Sequence, residues 1–321
     1  LSKRQADFLA AAGVEVTVFP FKGRKNPFNY LKNWVRLQAK LSRGRFDLVH
    51  AQFGQSGLLA LPKRLPLVVT FRGSDLLGTV SEKTGRHRKI GALHQLLSRL
   101  VAAQANAVVV VAEHMKRQLP ASIKAHVIPS GLDLQLFRPT DKQTARHRLG
   151  LLDDERLVLF VGRPTQGRKR FHLAEQALEI LNRSLPVRLV VGWRVPHGDI
   201  PLYMSACDAL VFTSMQEGSP NVVKEALACN LPIVSVPVGD VESRLNGVEG
   251  CELCTDDNPE TIAAALKRVL DWGGRTAGRE TVLALDERIT TEQVISIYQS
   301  VLAGGRSATS VNYAQSGSTF W

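Results

Sequence analysis

Short runs of apolar, mostly β-branched residues alternate along the chain with stretches in which apolar residues recur every third or fourth position. VEVTVF (14–19), FDLVHA (46–51), LVVTF (67–71), AVVVVA (107–112) and AHVIP (125–129) read as strands. Between them, residues 29–43 and 89–105 carry the i, i+3, i+4 spacing of a helix face. Strands that are apolar on both sides and separated by helices argue for a parallel sheet covered on both faces. The scheme then restarts. LVLFVG (157–162), VRLVVG (187–192), ALVFTS (209–214), PIVSVPV (232–238) and CELC (251–254) are the second set of strands. Helices are predicted over about 171–183, 200–207, 221–229 and 259–270. The segment near 130–150, rich in turn formers and charge, reads as a linker.

The pattern therefore predicts an α/β chain of two tandem, Rossmann-like, doubly wound domains. In such sheets ligands bind at the carboxyl ends of the strands, and a cleft between two facing domains is the default site. The last residues, 304–321, read as a flexible tail. Its 321 residues, 44% of them hydrophobic, suffice for two such cores.

Charge changes the picture. Lys and Arg number 41 against 29 Asp and Glu, a net +12. The excess lies in residues 1–150, which hold 25 basic and 8 acidic residues. An anionic partner is implied: a phosphate-bearing ligand, a nucleic acid or an anionic membrane. The cations are scattered between apolar runs rather than gathered in one block, and aromatic residues are only 6%, which disfavours a nucleic-acid face. No apolar run approaches the roughly 18 residues of a membrane span. The start, LSKRQADFLAAAG, lacks the apolar core of a signal peptide. Four Cys, including a lone Cys251-x-x-Cys254, read as buried thiols in a reducing cytosol rather than as a disulfide or metal framework.

Two constellations carry chemistry. EGSPNVVKE runs from Glu217 to Glu225, after the strand ALVFTS and into a helix. Pro220 stands where helices begin, and Gly218 and Ser219 allow a tight turn. Backbone N–H groups near Asn221 and Val222 are then free to meet an anion at the helix N-terminus. Glu217 is placed at the mouth, and Glu225 one turn inside, where it can accept hydrogen bonds from a ribose diol. The second constellation is FVGRPTQGRKRF, in which Arg163, Arg168, Lys169 and Arg170 crowd the end of a strand and can clamp a diphosphate. Gly162 and Gly167 mimic a P-loop spacing, but Arg168 and Lys169 follow where Lys and a hydroxyl residue belong, so an ATPase is rejected.

In the first half, FRGSD brings Arg72, Gly73, Ser74 and Asp75 to the cleft, and HAQFGQSG brings His50, Gln52, Gly54 and Gly57. Lys22, Arg24 and Lys25 follow the first predicted strand and are either acceptor contacts or a solvated loop. No GxGxxG occurs, which argues against a dehydrogenase, and no DxD occurs, which disfavours a metal bridge to a nucleotide.

With these residues in hand, FVGRPTQGRKRFHLA and YMSACDALVFTSMQEGSPNVVKEALACNLPIVSVPVGD resemble the retaining GT-B glycosyltransferases of family GT4, the glycogen synthase and mannosyltransferase group. VIPSGLDLQLFRP resembles that family's interdomain entry and FRGSD its acceptor-domain loop. The flavour is that of bacterial cell-surface polysaccharide and teichuronic acid transferases. The resemblance implies a GT-B fold with an acceptor-binding domain over 1–138, a nucleotide-sugar domain over 139–287 and a helix over 288–303 that crosses back to the first domain. It implies a retaining transfer of a hexose-type sugar, with front-face attack, and assigns residues by motif. Glu217 would touch the donor sugar and Glu225 the ribose. Arg163 and Lys169 would bind the diphosphate and stabilise it as it leaves. Gly218, Ser219, Asn221 and Val222 would meet sugar and phosphate, and Arg72, Gly73, Asp75 and His50 would lie on the acceptor side. Arg72 stands where many members have His. The chain also begins in what resembles the helix after the family's first strand, so that strand is expected to be missing.

The partners implied are a UDP- or GDP-sugar donor and a glycan or polyprenyl-linked acceptor, with an anionic membrane surface and no nucleic acid. No cofactor or metal is implied. The expected location is cytoplasmic, at the inner face of the plasma membrane. The alternatives are a non-enzymatic polyanion-binding module and a GT-B sugar-nucleotide epimerase.

Overall fold

A computed structural model describes residues 2–21, 26–81, 86, 88 and 90–306. Its first half is a parallel sheet of β1 (Val49–Ala51), β2 (Leu67–Phe71), β3 (Ala107–Val110) and β4 (Ala125–Val127), in that spatial order. All five residues of β2 are buried. Its alternation divides the sheet into two faces. Leu67, Val69 and Phe71 pack on one side with Val101 and Ala102. Val68 packs on the other with Leu9, Val294, Ile297 and Tyr298.

Four helices precede or cross between these strands: α1 (Ser2–Ala11), α2 (Pro27–Arg43), α3 (Gly54–Gly57) and α4 (Ile90–Gln104). Asn26 caps α2 by accepting from the Phe28 N–H at 2.9 Å, and Pro27 fills the first helical position.

The second half is a five-stranded parallel sheet in the order β6-β5-β7-β8-β9. These strands are β5 (Leu157–Val161), β6 (Arg188–Gly192), β7 (Ala209–Phe212), β8 (Ile233–Ser235) and β9 (Glu252–Leu253). Its helices are α6 (Phe171–Leu181), α7 (Ile200–Ala206), α8 (Asn221–Ala228), α9 (Val241–Leu245) and α10 (Pro259–Trp272). Ala174 of α6 and Leu266 of α10 pack on one face, and Met204 of α7 and Val223 of α8 on the other. This is the doubly wound α/β architecture expected from the alternating pattern. α11 (Gly278–Val282) leads to α12 (Glu287–Arg306), which returns to the first sheet through Val294, Ile297 and Tyr298. Glu287 at its start pairs with Arg4 of α1.

Two expectations need correction. VEVTVF (14–19) is not a strand. Val14 and Val16 do pack on the cluster around Leu9 and Val68, so the period-two burial is present. A strand also needs a partner strand for its N–H and C=O groups, and among the described residues β1 has β2 as its sheet neighbour and no strand pairs with 14–19. The supposed linker near 130–150 contains a helix, α5 (Lys142–Leu149). Asp141 caps it by accepting from the Thr144 N–H at 2.8 Å, and Gly150 ends it at φ +65°. Its charge misleads because Arg146 is buried. That guanidinium donates to the Ala206 carbonyl at 2.9 Å and to Asp208 at 3.0 Å, docking the helix onto the second domain. The predicted tail from 307 onwards lies outside the described residues.

Candidate active site

The strand order of the second sheet fixes where a site can form. β5 lies between β6 and β7, so the chain leaves β5 and β7 toward opposite faces and a crevice opens between their carboxyl ends. The loops after these two strands are the ones that carry the basic cluster and EGSPNVVKE. They are stitched together. The Met215 N–H donates to the Arg168 carbonyl at 2.9 Å, the Thr213 hydroxyl to the Lys169 carbonyl at 2.9 Å, and Arg170 Nε to the Thr213 carbonyl at 2.8 Å. Arg170 takes φ +48° and pairs with Asp257, so it anchors the loop.

Glu217 sits at the centre. Lys169 Nζ donates to its Oε1 at 2.8 Å, and Arg168 Nη1 donates to the same oxygen. Burial pushes the Glu217 carboxyl up, but Lys169 and Arg168 outweigh it and hold the group below its ordinary value. Lys169 Nζ also stands 5.3 Å from the Phe212 ring, and Arg163 lies 6.0 Å from the Trp193 ring. Gly162, at φ +148°, lets the chain turn beside Lys169. Three cations thus border one crevice, two of them already matched to a single carboxylate.

α8 points its first turn at the same place. Pro220 precedes it in an extended conformation, and residues from Val222 to Ala228 are all buried. The N–H groups of Asn221 and Val222 have no preceding helical turn to bond to, which favours an anion there. Glu225, 8% exposed, meets His197 Nε2 at 3.2 Å. That hydrogen bond raises the His197 pKa above its ordinary value, against partial burial. His197 follows β6 and stacks edge-on to Phe137 at 5.2 Å. Sequence reasoning missed it; its place in a loop just past a strand's carboxyl end was the available signal.

Lys224 was missed too. It is 1% exposed and donates to the Ser130 carbonyl at 3.1 Å, tying α8 to the interdomain segment. Burial pushes its pKa down to about 8. Ser219 gives its hydroxyl to Asp240 Oδ2 at 2.8 Å, an oxygen that also accepts from Arg244 at 3.0 Å. Its side chain is therefore engaged within the loop.

The two halves meet at glycines. A Cβ on Gly218 would lie 2.7 Å from the Arg72 carbonyl, and one on Gly73 would lie 3.3 Å from the Gly218 nitrogen. Gln216 crosses the same boundary, donating to the Leu77 carbonyl at 2.8 Å. The FRGSD loop therefore does face the EGSPNVVKE loop, but two expected site residues of the first half, Asp75 in that loop and His50 in β1, are bonded into the framework. Asp75 is fully buried and accepts from four backbone N–H groups: Arg72 at 3.1 Å, Gly73 at 2.9 Å, Leu76 at 3.2 Å and Gly54 at 3.2 Å. Burial raises its pKa while these bonds oppose. His50 has both ring nitrogens occupied, by Tyr298 at 2.6 Å and Thr70 at 2.7 Å. Burial first, and Arg72 second, hold its pKa down at about 3, so the ring is neutral. These contacts correct the acceptor-side reading of Asp75 and His50: no polar atom of either side chain is left over for a ligand.

Arg72 stays at the boundary. It donates to the Ser130 hydroxyl at 2.8 Å, to Gln5 at 3.3 Å and to Gln52. Gly54 and Gly57 are packing positions against Ser98 and Val101. Ser74 is exposed. Lys22, Arg24 and Lys25 lie outside the described residues. The four thiols are free, and burial raises the pKa of each.

The chain resembles known proteins along most of its length. The family described as Glycosyltransferase Family 4 matches residues 2–136, and that described as Glycosyl transferases group 1 matches residues 158–271. The teichuronic acid biosynthesis glycosyltransferase TuaC of Bacillus subtilis is 30% identical over 247 residues, covering 69% of this chain and 61% of that protein. The chain thus spans less than two thirds of that relative's length. A D-inositol 3-phosphate glycosyltransferase of Catenulispora acidiphila is 26% identical, covering 82% of this chain and 74% of that protein. Among solved structures, a sucrose-phosphate synthase from Thermosynechococcus elongatus superposes with a TM-score of 0.77 at 21% identity, covering 94% of this chain and 93% of the other. Anabaena HepE, solved with UDP and glucose, superposes with a TM-score of 0.65 at 17% identity, covering 89% and 84%.

Proposed function

We propose that this chain, which belongs to the family 4 glycosyltransferases of GT-B fold, transfers a sugar from a nucleoside diphosphate to an acceptor hydroxyl in cell-surface polysaccharide biosynthesis. The observation that carries the reading is the convergence of Lys169, Arg168 and the first turn of α8 on the Glu217 loop, at the switch point of the second sheet. HepE, similar in fold, was solved with UDP and with UDP-glucose. The teichuronic acid relative supports the polysaccharide assignment.

The chemistry follows from charge. Breaking the bond between the anomeric carbon and the diphosphate develops positive charge on the sugar and negative charge on the leaving group. Arg163, Lys169 and the helix N-terminus face the negative charge, and they stabilise it more in the transition state than in the bound substrate. Lys169 is held by Glu217 before the donor arrives, so it is positioned in advance. Glu217 then offers a carboxylate to the donor sugar, and Glu225 accepts from the ribose. With cations in this role, the transfer is proposed to run without a metal or a cofactor. The departing phosphate oxygen takes the acceptor's proton on the same face, which retains the anomeric configuration. A UDP- or GDP-sugar is the donor, and a glycan or polyprenyl-linked hydroxyl is the acceptor. The basic first half suits work at an anionic membrane on its cytoplasmic side.

The test is release of free nucleotide from UDP- and GDP-sugars in the presence of membranes carrying lipid-linked acceptors. Donor-dependent release that falls at least about a hundredfold in Glu225→Ala is expected. No release from any donor, or release at the unaltered rate by Glu225→Ala, overturns the reading.

A further inference from the structure

The strongest unexplained surface lies on the helices of the first domain. β1 to β4 run parallel and in chain order, so each right-handed crossover lays its helix on the same face of the sheet. α3 and α4 lie in the first two of these three crossovers. α2 joins the same layer: Trp34 Nε1 donates to the Leu61 carbonyl at 2.6 Å and Gln38 to the Leu59 carbonyl at 3.0 Å. The layer buries its polar Asn33, Gln38 and Ser98 and turns large apolar side chains outward. On α2 these are Phe28, Leu31 and Val35, exposed by 78%, 58% and 53%. On α4 they are Ile90, Leu93, Leu96 and Leu100, exposed by 44–55%. Both sets recur every three or four residues, as one stripe along each helix.

Charge says what covers the stripes. α2 carries Lys32, Arg36, Lys40 and Arg43, all exposed, and α4 carries exposed Arg99; neither helix contains an Asp or Glu. On α2, Lys32 lies one turn beyond Phe28, at the edge of the apolar stripe. Arg86 and Arg88, just before α4, are exposed as well. A protein partner would need an apolar patch ringed by carboxylates. An anionic bilayer offers both features at once, because acyl chains receive Leu and Phe while headgroups receive the cations. Long basic side chains reach the headgroups while their stems lie on the apolar surface.

We propose that the outward face of α2 and α4 is the surface through which this protein docks on an anionic lipid membrane, with both helices lying in the interface plane. The proposal deepens the membrane part of the functional reading, and its test measures binding rather than transfer, so either can fail alone. The same helices hold none of the site residues described above.

The experiment is co-sedimentation of the full chain, without donor or acceptor, with vesicles of phosphatidylcholine alone and of phosphatidylcholine mixed with phosphatidylglycerol. Binding to the mixed vesicles, weakened by salt and much weaker on pure phosphatidylcholine, is expected. Leu31→Ser with Leu96→Ser should weaken it at least about tenfold. Lys32→Gln with Arg36→Gln should weaken it by about fivefold per charge removed. These side chains are exposed, so the melting temperature should hold in each variant. Absence of binding to the mixed vesicles, or binding unchanged by both pairs of substitutions, overturns the proposal. So does a dimer in solution that the Leu→Ser pair dissociates while no vesicles are bound.

Discussion

The loops after β2 and β7 touch across Gly73 and Gly218, and they use their charged side chains in opposite ways. In the first, Asp75 accepts from four backbone N–H groups and is sealed from solvent. In the second, Glu217 is held by two side chains, Lys169 and Arg168, which stand on a separate loop and can exchange partners. A carboxylate bound by the backbone fixes the shape of its own loop. A carboxylate bound by cations sets those cations in place for another anion. On the proposed function, fold and chemistry are thus divided between two acidic residues, each in a loop after a buried strand.

The contrast can be broken from either side. Lys169→Ala should lower kcat/KM for nucleotide release by about 10²–10³ while shifting Tm by only a few degrees, because one fixed charge at a developing anion is lost. Asp75→Ala should do the reverse. It strands four buried donors, costs about 3–5 kcal/mol and lowers Tm on the order of 10 °C, while the folded fraction keeps near-normal nucleotide affinity. Circular dichroism melts beside steady-state rates separate the two. Next in size, Gly218→Ala should slow transfer about tenfold or more, since its Cβ would fall 2.7 Å from the Arg72 carbonyl and force the loops apart.

A titration sharpens the comparison further. Lys224 is charged in the unfolded chain up to about 10.5 but is pushed down to about 8 by burial in the fold. Between these values the unfolded state binds the extra proton, so stability should rise with pH through this window. The rise is on the order of 1–2 kcal/mol and should vanish in Lys224→Met, followed by urea melts from pH 8 to 10.

Most of the architecture was legible in the sequence because buried parallel strands are apolar on both faces. LVVTF and LVLFV announce themselves in that way. The second-domain loops were legible because turn residues, cations and Glu217 stand at fixed offsets from a strand end. VEVTVF failed because burial alternates there without a pairing partner. α5 hid because its Arg146 is buried, with the Ala206 carbonyl and the Asp208 carboxylate, about 60 residues along the chain, among its partners. His50 and Asp75 were read as ligand contacts because a polar residue after a strand looks the same whether its tip meets solvent or the backbone. Their partners, Tyr298 and the Gly54 N–H, are contributed by α12 and α3, and only the assembled fold brings them together.

The central claim is that the crevice between the β5 and β7 loops binds a nucleoside diphosphate through its cations. Thermal unfolding of the full chain with increasing UDP or GDP, in parallel with Lys169→Ala, tests it most directly. A concentration-dependent rise in Tm with one of the two nucleotides, largely lost in the variant, is the predicted result. No rise with either nucleotide, or an equal rise in the variant, would contradict it.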